Sequence, residues 1–198
     1  MLPEFGVAEL EWVPVLGRAQ EAILNDLFEQ SSLVFDDHRD EFNHKYWAKL
    51  TETLGDSPSY LLPGVPRLLE QLALREDVAL GVLTGNSERA AEVKLRHFQL
   101  DHFFKFGGFG DFHSDRNDVA RLALASARSF LGERFDASRL WVVGDTVNDI
   151  VCARAINAKV VAVETGGASI SELEAAAPDS VLKSLDDCRV FFEILELA

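Results

Sequence analysis

The sequence has little cysteine and no long apolar run. Only two of its 198 residues are cysteine, Cys152 and Cys188, and they lie far apart in the chain. A disulfide framework or a zinc site needs more ligands at closer spacing, so we expect two buried thiols in a reducing cytoplasm. No stretch approaches the roughly 18–20 apolar residues of a membrane-spanning helix, and no basic segment followed by an apolar one indicates a signal peptide.

Positive charge is also scarce. The chain has 19 Lys and Arg residues against 33 Asp and Glu residues, which gives a formal net charge of −14 at pH 7. Such a surface repels phosphate backbones and anionic lipid, so nucleic acid and membranes are poor partners. The hydrophobic fraction of 47% is ordinary for a globular protein. The length suits one domain that carries a small insertion.

The hydrophobic pattern changes near residue 61. Residues 1–60 show helical spacing only, which predicts two or three amphipathic helices and no strand. In residues 61–198, short apolar runs alternate with helical segments, one of which is predicted over 119–131. Strands are predicted at 78–83, 103–106, 140–143, 159–163 and 181–182. Buried strands separated by helices predict an α/β domain with a doubly wound parallel sheet.

Two carboxylates follow the predicted strand 140–143, at the end of the sheet where such folds bind ligands. Asp145 would lie at the strand end and Asp149 one helical turn later, so that both face the same crevice. Oxygen ligands in this position suit Mg²⁺. Helix capping by Asp145, with Asp149 adding favourable charge to the first turn, is the alternative explanation.

A second polar cluster follows the predicted strand 78–83. Thr84, Gly85 and Asn86 combine a hydroxyl, a permissive glycine and a residue that can cap the next helix, which together favour a phosphate site. An ordinary strand–turn–helix junction would look the same. Arg116, just before a helix, has a guanidinium that suits phosphate, although a lone arginine more often lies on the surface. Lys94 is a weaker candidate for the same role.

In their order and context these segments resemble the haloacid dehalogenase (HAD) superfamily of phosphatases. Residues 82–86 (VLTGN) resemble the second motif of that family, and residues 144–149 (GDTVND) resemble the fourth. Residues 106–117 and 161–167 are similar to the branch near the phosphoglycolate phosphatases. The resemblance implies a HAD-like Rossmannoid core over residues 61–198 and a partial α-helical cap over residues 1–60.

The resemblance also implies roles for the phosphate-binding residues. Thr84 would bind the transferring phosphoryl group, helped by the backbone N–H groups of Gly85 and Asn86. Arg116 would take the place of the lysine of the third motif, which keeps the charge and changes the geometry. If that alignment slips, Lys94 is the alternative.

For the metal site, the resemblance implies that Asp145 ligates Mg²⁺ and that Asp149 supports it, either directly or through another ligand. The implied activity is that of a Mg²⁺-dependent phosphatase. It would act on a small phosphorylated metabolite and form an aspartyl-phosphate intermediate.

One family motif has no counterpart in this sequence. The first motif is a strand followed by Asp-x-Asp-x-Thr, whose first aspartate is the nucleophile. The nearest stretch is residues 33–38 (LVFDDH), which has His38 in place of the second aspartate and lies where the cap should be. We therefore expect the central first strand to be missing, with the printed chain beginning inside the cap through truncation or a misassigned start.

Two alternatives stay open at this point. The chain could be a non-catalytic HAD-like binding or regulatory protein that completes its sheet through a partner or as a homodimer. A phosphomutase on the same fold is also compatible with the motifs. A dehalogenase is disfavoured, because dehalogenases need no Mg²⁺ and the pair Asp145 and Asp149 would then lack a purpose.

Overall fold

A helical region and an α/β core make up the part of the chain that the structure, a computed structural model, describes: residues 2–5, 11–56 and 59–197. The helical region contains short 3-10 helices at Leu2–Phe5 and Phe35–His38 and two α-helices, α1 (Gln20–Glu29) and α2 (Arg39–Asp56). The core contains, in order, α3 (Val65–Ala73), β1 (Gly81–Leu83), α4 (Glu88–His97), β2 (Phe106–Gly108), α5 (Arg116–Leu131), β3 (Trp141–Gly144), α6 (Val147–Ala155), β4 (Lys159–Val163), α7 (Ile170–Ala175), β5 (Ser180–Leu182) and α8 (Cys188–Ile194).

An aromatic cluster holds the helical region together. Phe28 is fully buried, and its ring lies 5.2 Å from that of Phe35 and 5.8 Å from that of Phe42, measured between centroids. Edge-on contacts of this kind add to the free energy gained by burying the rings. Arg39 closes the cluster on one side, where its guanidinium pairs with Glu21 and lies over the Phe35 ring. The helices predicted before residue 61 are confirmed.

All strand pairs of the core are parallel, as the sequence predicts. β1 pairs with β2, with Val82 opposite Gly107, and a second sheet has the order β3-β4-β5. β4 is the central strand of that sheet, and residues 160–163 are buried. The strands therefore form two sheets instead of one, because none of the described residues forms a strand that joins β1 to β3.

The facing edges of the two sheets are unpaired among the described residues. Thr84 directs its backbone N–H toward β2, where it donates to Gly108. Alternate residues of a strand direct their backbone groups to opposite edges, so Leu83 faces away from β2. By the same rule Val143 faces away from β4, because Leu140 accepts from the β4 residue Lys159. Val143 is 45% exposed although it lies in a strand.

Helix α5 lies across this gap. It packs against β1 and β2 and also against α6, which follows β3, and so it holds the two sheets side by side. Gly108 allows this close packing, since a Cβ atom there would lie 2.4 Å from the carbonyl oxygen of Val119 in α5. The two unpaired edges therefore flank a gap that is covered by a helix.

Several boundaries differ from the sequence-based expectation; β1, for example, begins at Gly81 instead of residue 78. α5 begins at Arg116, three residues before the predicted start at residue 119, because Asp115 caps the helix by accepting from the N–H of Asn117 at 2.8 Å. The second strand lies at Phe106–Gly108 instead of 103–106, because Asp101–Phe103 forms a 3-10 helix. The earlier start of α5 places Arg116 inside its first turn.

Both cysteines are buried and unpaired. Burial raises the pKa of Cys152 to about 11, so its thiol is protonated at neutral pH. In the part of the chain that is described, no helix combines the length and the apolar character needed to cross a bilayer.

The aromatic cluster yields a stability prediction. Phe28→Ala removes a fully buried ring, and we expect the free energy of unfolding to fall by about 3–5 kcal/mol in urea denaturation. Phe130→Ala is the matched control, because this ring is 46% exposed and leaves little cavity. Equal losses in the two variants would contradict the assignment of Phe28 to a packed core.

Candidate functional site

A cavity of about 500 Å³ lies between the helical region and the carboxyl ends of β1 and β3. The core contributes residues that follow these strands, together with Arg116 from α5. The helical region contributes α1, α2 and the segment before α1. The lining residues that the sequence analysis identified are Thr84, Gly85, Asn86, Arg116, Asp145 and Asp149. The structure thus gathers all six of them around one cavity.

Thr84 lies directly after β1 and is held at the cavity by its backbone and its side chain. Its N–H donates to Gly108 of β2 at 3.1 Å. Its Oγ1 accepts hydrogen bonds from the N–H of Asn86 at 3.2 Å and from the Asn86 side-chain amide at 2.8 Å. The hydroxyl hydrogen of Thr84 is thus left for an acceptor outside this turn.

Gly85 allows the helical region to approach β1 closely. A Cβ atom on Gly85 would lie 2.3 Å from the carbonyl oxygen of Arg18. The carbonyl oxygen of Gly85 accepts from the N–H of Gln20 at 2.6 Å, and the side chain of Asn148 donates to Gly17 at 3.1 Å. The segment before α1 therefore bridges the loops that follow β1 and β3, and it forms one wall of the cavity.

The prediction that Asn86 caps α4 is wrong. Ser87 is the N-cap and accepts from the N–H of Ala90 at 3.4 Å. It also accepts from the indole N–H of Trp47 at 3.2 Å, which ties α2 to the core. The start of the helix is shifted by one residue, and the amide of Asn86 is free to bond to Thr84 and to Lys94.

Arg116 lies in the cleft and not on the surface. Its Nη2 donates to Asp149 Oδ1 at 2.9 Å and to the carbonyl oxygen of Leu83 at 3.3 Å. The side chains of Arg116 and Asp149 are only 15% and 10% exposed. The Nε of Arg116 is buried and has no partner among the described residues. A buried donor without an acceptor is costly in free energy, so this guanidinium retains hydrogen-bonding capacity for a ligand.

Asp149 is engaged through both carboxylate oxygens. Besides the bond from Arg116 to Oδ1, Oδ2 accepts from the N–H of Asp145 at 3.2 Å and from the N–H and hydroxyl of Thr146 at 3.1 and 2.8 Å. Thr146 in turn accepts from the N–H of Asp149, which completes a capping box at the start of α6. Thr146 was not among the predicted site residues, although Thr-x-x-Asp before a helix is the pattern of such a box.

Asp145 presents a half-buried carboxylate without a cationic partner among the described residues. Gly166 packs directly on it, since a Cβ atom there would lie 2.3 Å from Asp145 Cγ. Burial raises the pKa of Asp145 above its ordinary value, and the nearby negative charge of Asp149 raises it further. A hydrogen bond with the Thr165 side chain and the positive charge of Arg116 lower the pKa by less, so the partly buried carboxylate is only partly compensated and fits a cation. The described residues contain no cluster of three or more acidic, histidine or cysteine side chains, so they do not complete a metal site.

The stretch that most resembles the absent first motif lies elsewhere. Phe35–His38 is a 3-10 helix of the helical region, Phe35 is buried in the aromatic cluster, and Asp36 pairs with Arg39. None of these residues lines the cavity. Among the described residues, the carboxylates that line the cavity are those of Asp145 and Asp149.

Comparison with known proteins identifies the family. A family model described as haloacid dehalogenase-like hydrolase matches residues 4–163. The chain belongs to this family. It is 33% identical over 128 residues to the phosphoglycolate phosphatase of Synechococcus elongatus, a match that covers 64% of this chain and 57% of that protein. The chain thus aligns with little more than half of this relative.

Solved structures share the fold. A predicted phosphoglycolate phosphatase from Haemophilus somnus superposes with a TM-score of 0.66 at 19% identity, over 96% of this chain and 86% of that one. A putative phosphatase from Clostridium difficile gives a TM-score of 0.63 at 22% identity over the same shares. A predicted phosphatase from Clostridium acetobutylicum is 26% identical, with a TM-score of 0.57, over 67% of this chain and 59% of that one.

The raised pKa of Asp145 predicts how its loss affects stability. Because the folded state disfavours the charged carboxylate, stability falls as pH rises from the ordinary value of 3.8 through the raised pKa. We expect Asp145→Asn to raise the melting temperature of the metal-free protein at pH 7, and to raise it less at pH 4. The exposed Asp37→Asn is the control, and a drop in stability for Asp145→Asn at pH 7 would contradict the argument.

The Arg116–Asp149 pair predicts a second stability effect. Arg116→Met leaves Asp149 buried without its cation, which we expect to cost about 3–5 kcal/mol in the free energy of unfolding. Arg121→Met, five residues further along α5, removes an exposed pair with Asp118 and should cost about 0–1 kcal/mol. Urea denaturation measures both, and an equally small loss for Arg116→Met would refute a structural role of the pair.

Proposed function

We propose that this protein is a Mg²⁺-dependent phosphatase of a small phosphorylated metabolite. It acts through an aspartyl-phosphate whose aspartate comes from a strand that the described residues do not contain. The observation that carries the proposal is the gathering of Thr84, Arg116, Asp145 and Asp149 around one cavity at the ends of parallel strands. Membership of a hydrolase family and the similarity to a phosphoglycolate phosphatase support it.

Three donors are available for the phosphoryl group. The backbone N–H and the side-chain amide of Asn86 both donate to Thr84 Oγ1, so the hydroxyl hydrogen of Thr84 is available to a ligand. The N–H of Gly85 has no hydrogen-bond partner among the described residues, whereas the N–H of Asn86 is already directed at Thr84. Arg116 adds a guanidinium with an unused Nε. These groups favour an oxyanion on the β1 side of the cavity.

Asp145 is the residue that would hold Mg²⁺. When bound, the ion supplies positive charge that stabilises the equatorial oxygens of the transferring phosphoryl group. Asp149 supports the site without direct ligation, because its Oδ2 accepts three hydrogen bonds and its Oδ1 pairs with Arg116, whose positive charge opposes a cation at that oxygen. In this role Asp149 fixes the direction of the Asp145 backbone.

The gap between the two sheets is the place proposed for the nucleophile. A parallel strand inserted between β1 and β3 would pair with the free edges at Leu83 and Val143. Its carboxyl end would then reach the cavity beside Thr84 and Asp145, because parallel strands end at the same edge of a sheet. An aspartate there would form a bond to phosphorus as the bond to the leaving alcohol breaks, and water would then release phosphate.

The substrate class follows from the cavity and the charge of the protein. A volume of about 500 Å³ suits a small metabolite, and the net charge of −14 opposes large polyanions. Phosphoglycolate is the specific candidate because of the Synechococcus relative. The location in the cytoplasm and the homodimer also stay predictions.

Hydrolysis of p-nitrophenyl phosphate tests the proposal. We compare the 198-residue chain with one extended at its N-terminus by an apolar strand that ends in Asp-x-Asp, both with and without Mg²⁺. We expect turnover only in the extended chain and only with Mg²⁺. Asp145→Asn in the extended chain should lower the rate by at least about a hundredfold, since it removes the metal ligand.

The control is the extended chain with the first added aspartate changed to asparagine, which should fold and be inactive. If the extended chain is inactive while the 198-residue form folds and binds Mg²⁺, the catalytic proposal fails. The non-catalytic binding protein is then favoured. The observation that keeps this second candidate is that, among the described residues, the cavity carboxylates are Asp145 and Asp149, neither of which resembles the nucleophile.

A further inference from the structure

Lys94 lies in α4, behind the phosphate-binding loop, and has an unusual environment. Its Nζ donates to Asn86 Oδ1 at 2.7 Å, and its side chain is partly buried. No carboxylate among the described residues forms an ion pair with it, and its hydrogen bond is to a neutral amide oxygen. Burial lowers the pKa of Lys94 from its ordinary value, as expected for a cation without a counter-charge.

The contact with Lys94 determines the orientation of the Asn86 amide. A lysine ammonium group has three donors and no acceptor, so the oxygen of the amide, and not its nitrogen, must face Nζ. The Nδ2 of Asn86 is thereby directed at Thr84 Oγ1, at 2.8 Å. Without Lys94 the amide could rotate by half a turn and present its oxygen to Thr84 instead.

The orientation of that amide decides what the Thr84 hydroxyl does. In the observed arrangement Oγ1 accepts from Asn86 Nδ2 and from the N–H of Asn86 at 3.2 Å, so that both lone pairs are used. The hydroxyl must then donate to a group in the cavity. With the amide rotated, the hydroxyl would donate to Asn86 Oδ1, and its hydrogen would be lost to the ligand.

We propose that Lys94 is a positioning residue of the phosphate site, which holds Asn86 so that the Thr84 hydroxyl donates to a bound phosphate oxygen. The inference rests on the proposed function only in taking phosphate as the ligand of the cavity. Arg116 keeps the role of the cation that faces the cavity, and Lys94 acts through Asn86 and Thr84.

Binding of inorganic phosphate to the 198-residue chain in the presence of Mg²⁺, measured by isothermal titration calorimetry, tests this role. Lys94→Met keeps the length of the side chain and removes the donor, and we expect the dissociation constant to rise about tenfold or more. Lys105→Met is the matched control, because it removes the same charge from an exposed lysine that bonds to the carbonyl oxygen of His102. It should leave binding unchanged, and melting temperatures verify that each variant folds.

A double-mutant cycle separates positioning from simple electrostatic attraction. If Lys94 acts through Thr84, Lys94→Met should have little further effect on phosphate affinity in a Thr84→Val background. Losses that multiply would show that Lys94 acts independently of Thr84 and would overturn the inference. If the unchanged chain binds phosphate and Lys94→Met binds equally well, the inference fails while the phosphate site stands. If the unchanged chain binds no phosphate, both fail.

Discussion

The guanidinium of Arg116 connects the two parallel sheets of the core. One amino group donates to the carbonyl oxygen of Leu83, on the unpaired edge of β1, and to the carboxylate of Asp149, in the helix that follows β3. Both side chains are largely buried, so water screens the attraction weakly. Because the two sheets share no backbone ladder among the described residues, this side chain, the packing of α5 and the segment before α1 hold the ends of β1 and β3 side by side.

Asp149 ties this connection to the candidate cation site. The oxygen that does not pair with Arg116 accepts from the N–H groups of Asp145 and Thr146 and thereby shapes the start of α6. The Asp145 carboxylate is then held against Gly166 without an ion pair among the described residues, although such a position disfavours the charged form. Asp145, the residue that suits a metal ion, is thus also the residue whose negative charge lowers the stability of the metal-free protein. Function and stability oppose each other at this position.

The sequence was sufficient to predict the ends of β1 and β3 to within one residue, and therefore the positions of Thr84 and Asp145 at the cavity, because buried apolar runs locate parallel strands well. It was not sufficient to assign roles that depend on a shift of a single residue. Asn86 and Ser87 are both good capping residues, and only the structure shows that Ser87 caps α4 while Asn86 faces Thr84. The carboxylate of Asp149 can complete the capping box or ligate a metal ion, and the spacing of hydrophobic residues does not indicate which of the two it does.

The unpaired edge of β1 also explains why Arg116 has its observed partners. An exposed strand edge is unfavourable, and here the carbonyl oxygen of Leu83 is satisfied by Arg116 instead of by a neighbouring strand. A strand inserted beside β1 would offer its own N–H to Leu83. The Nη2 of Arg116 would then keep Asp149 as a partner and gain one free donor beside its unused Nε. Completing the sheet would in this way release hydrogen-bonding capacity of Arg116 toward the cavity, on the same side as the end of the strand that is proposed to carry the nucleophile.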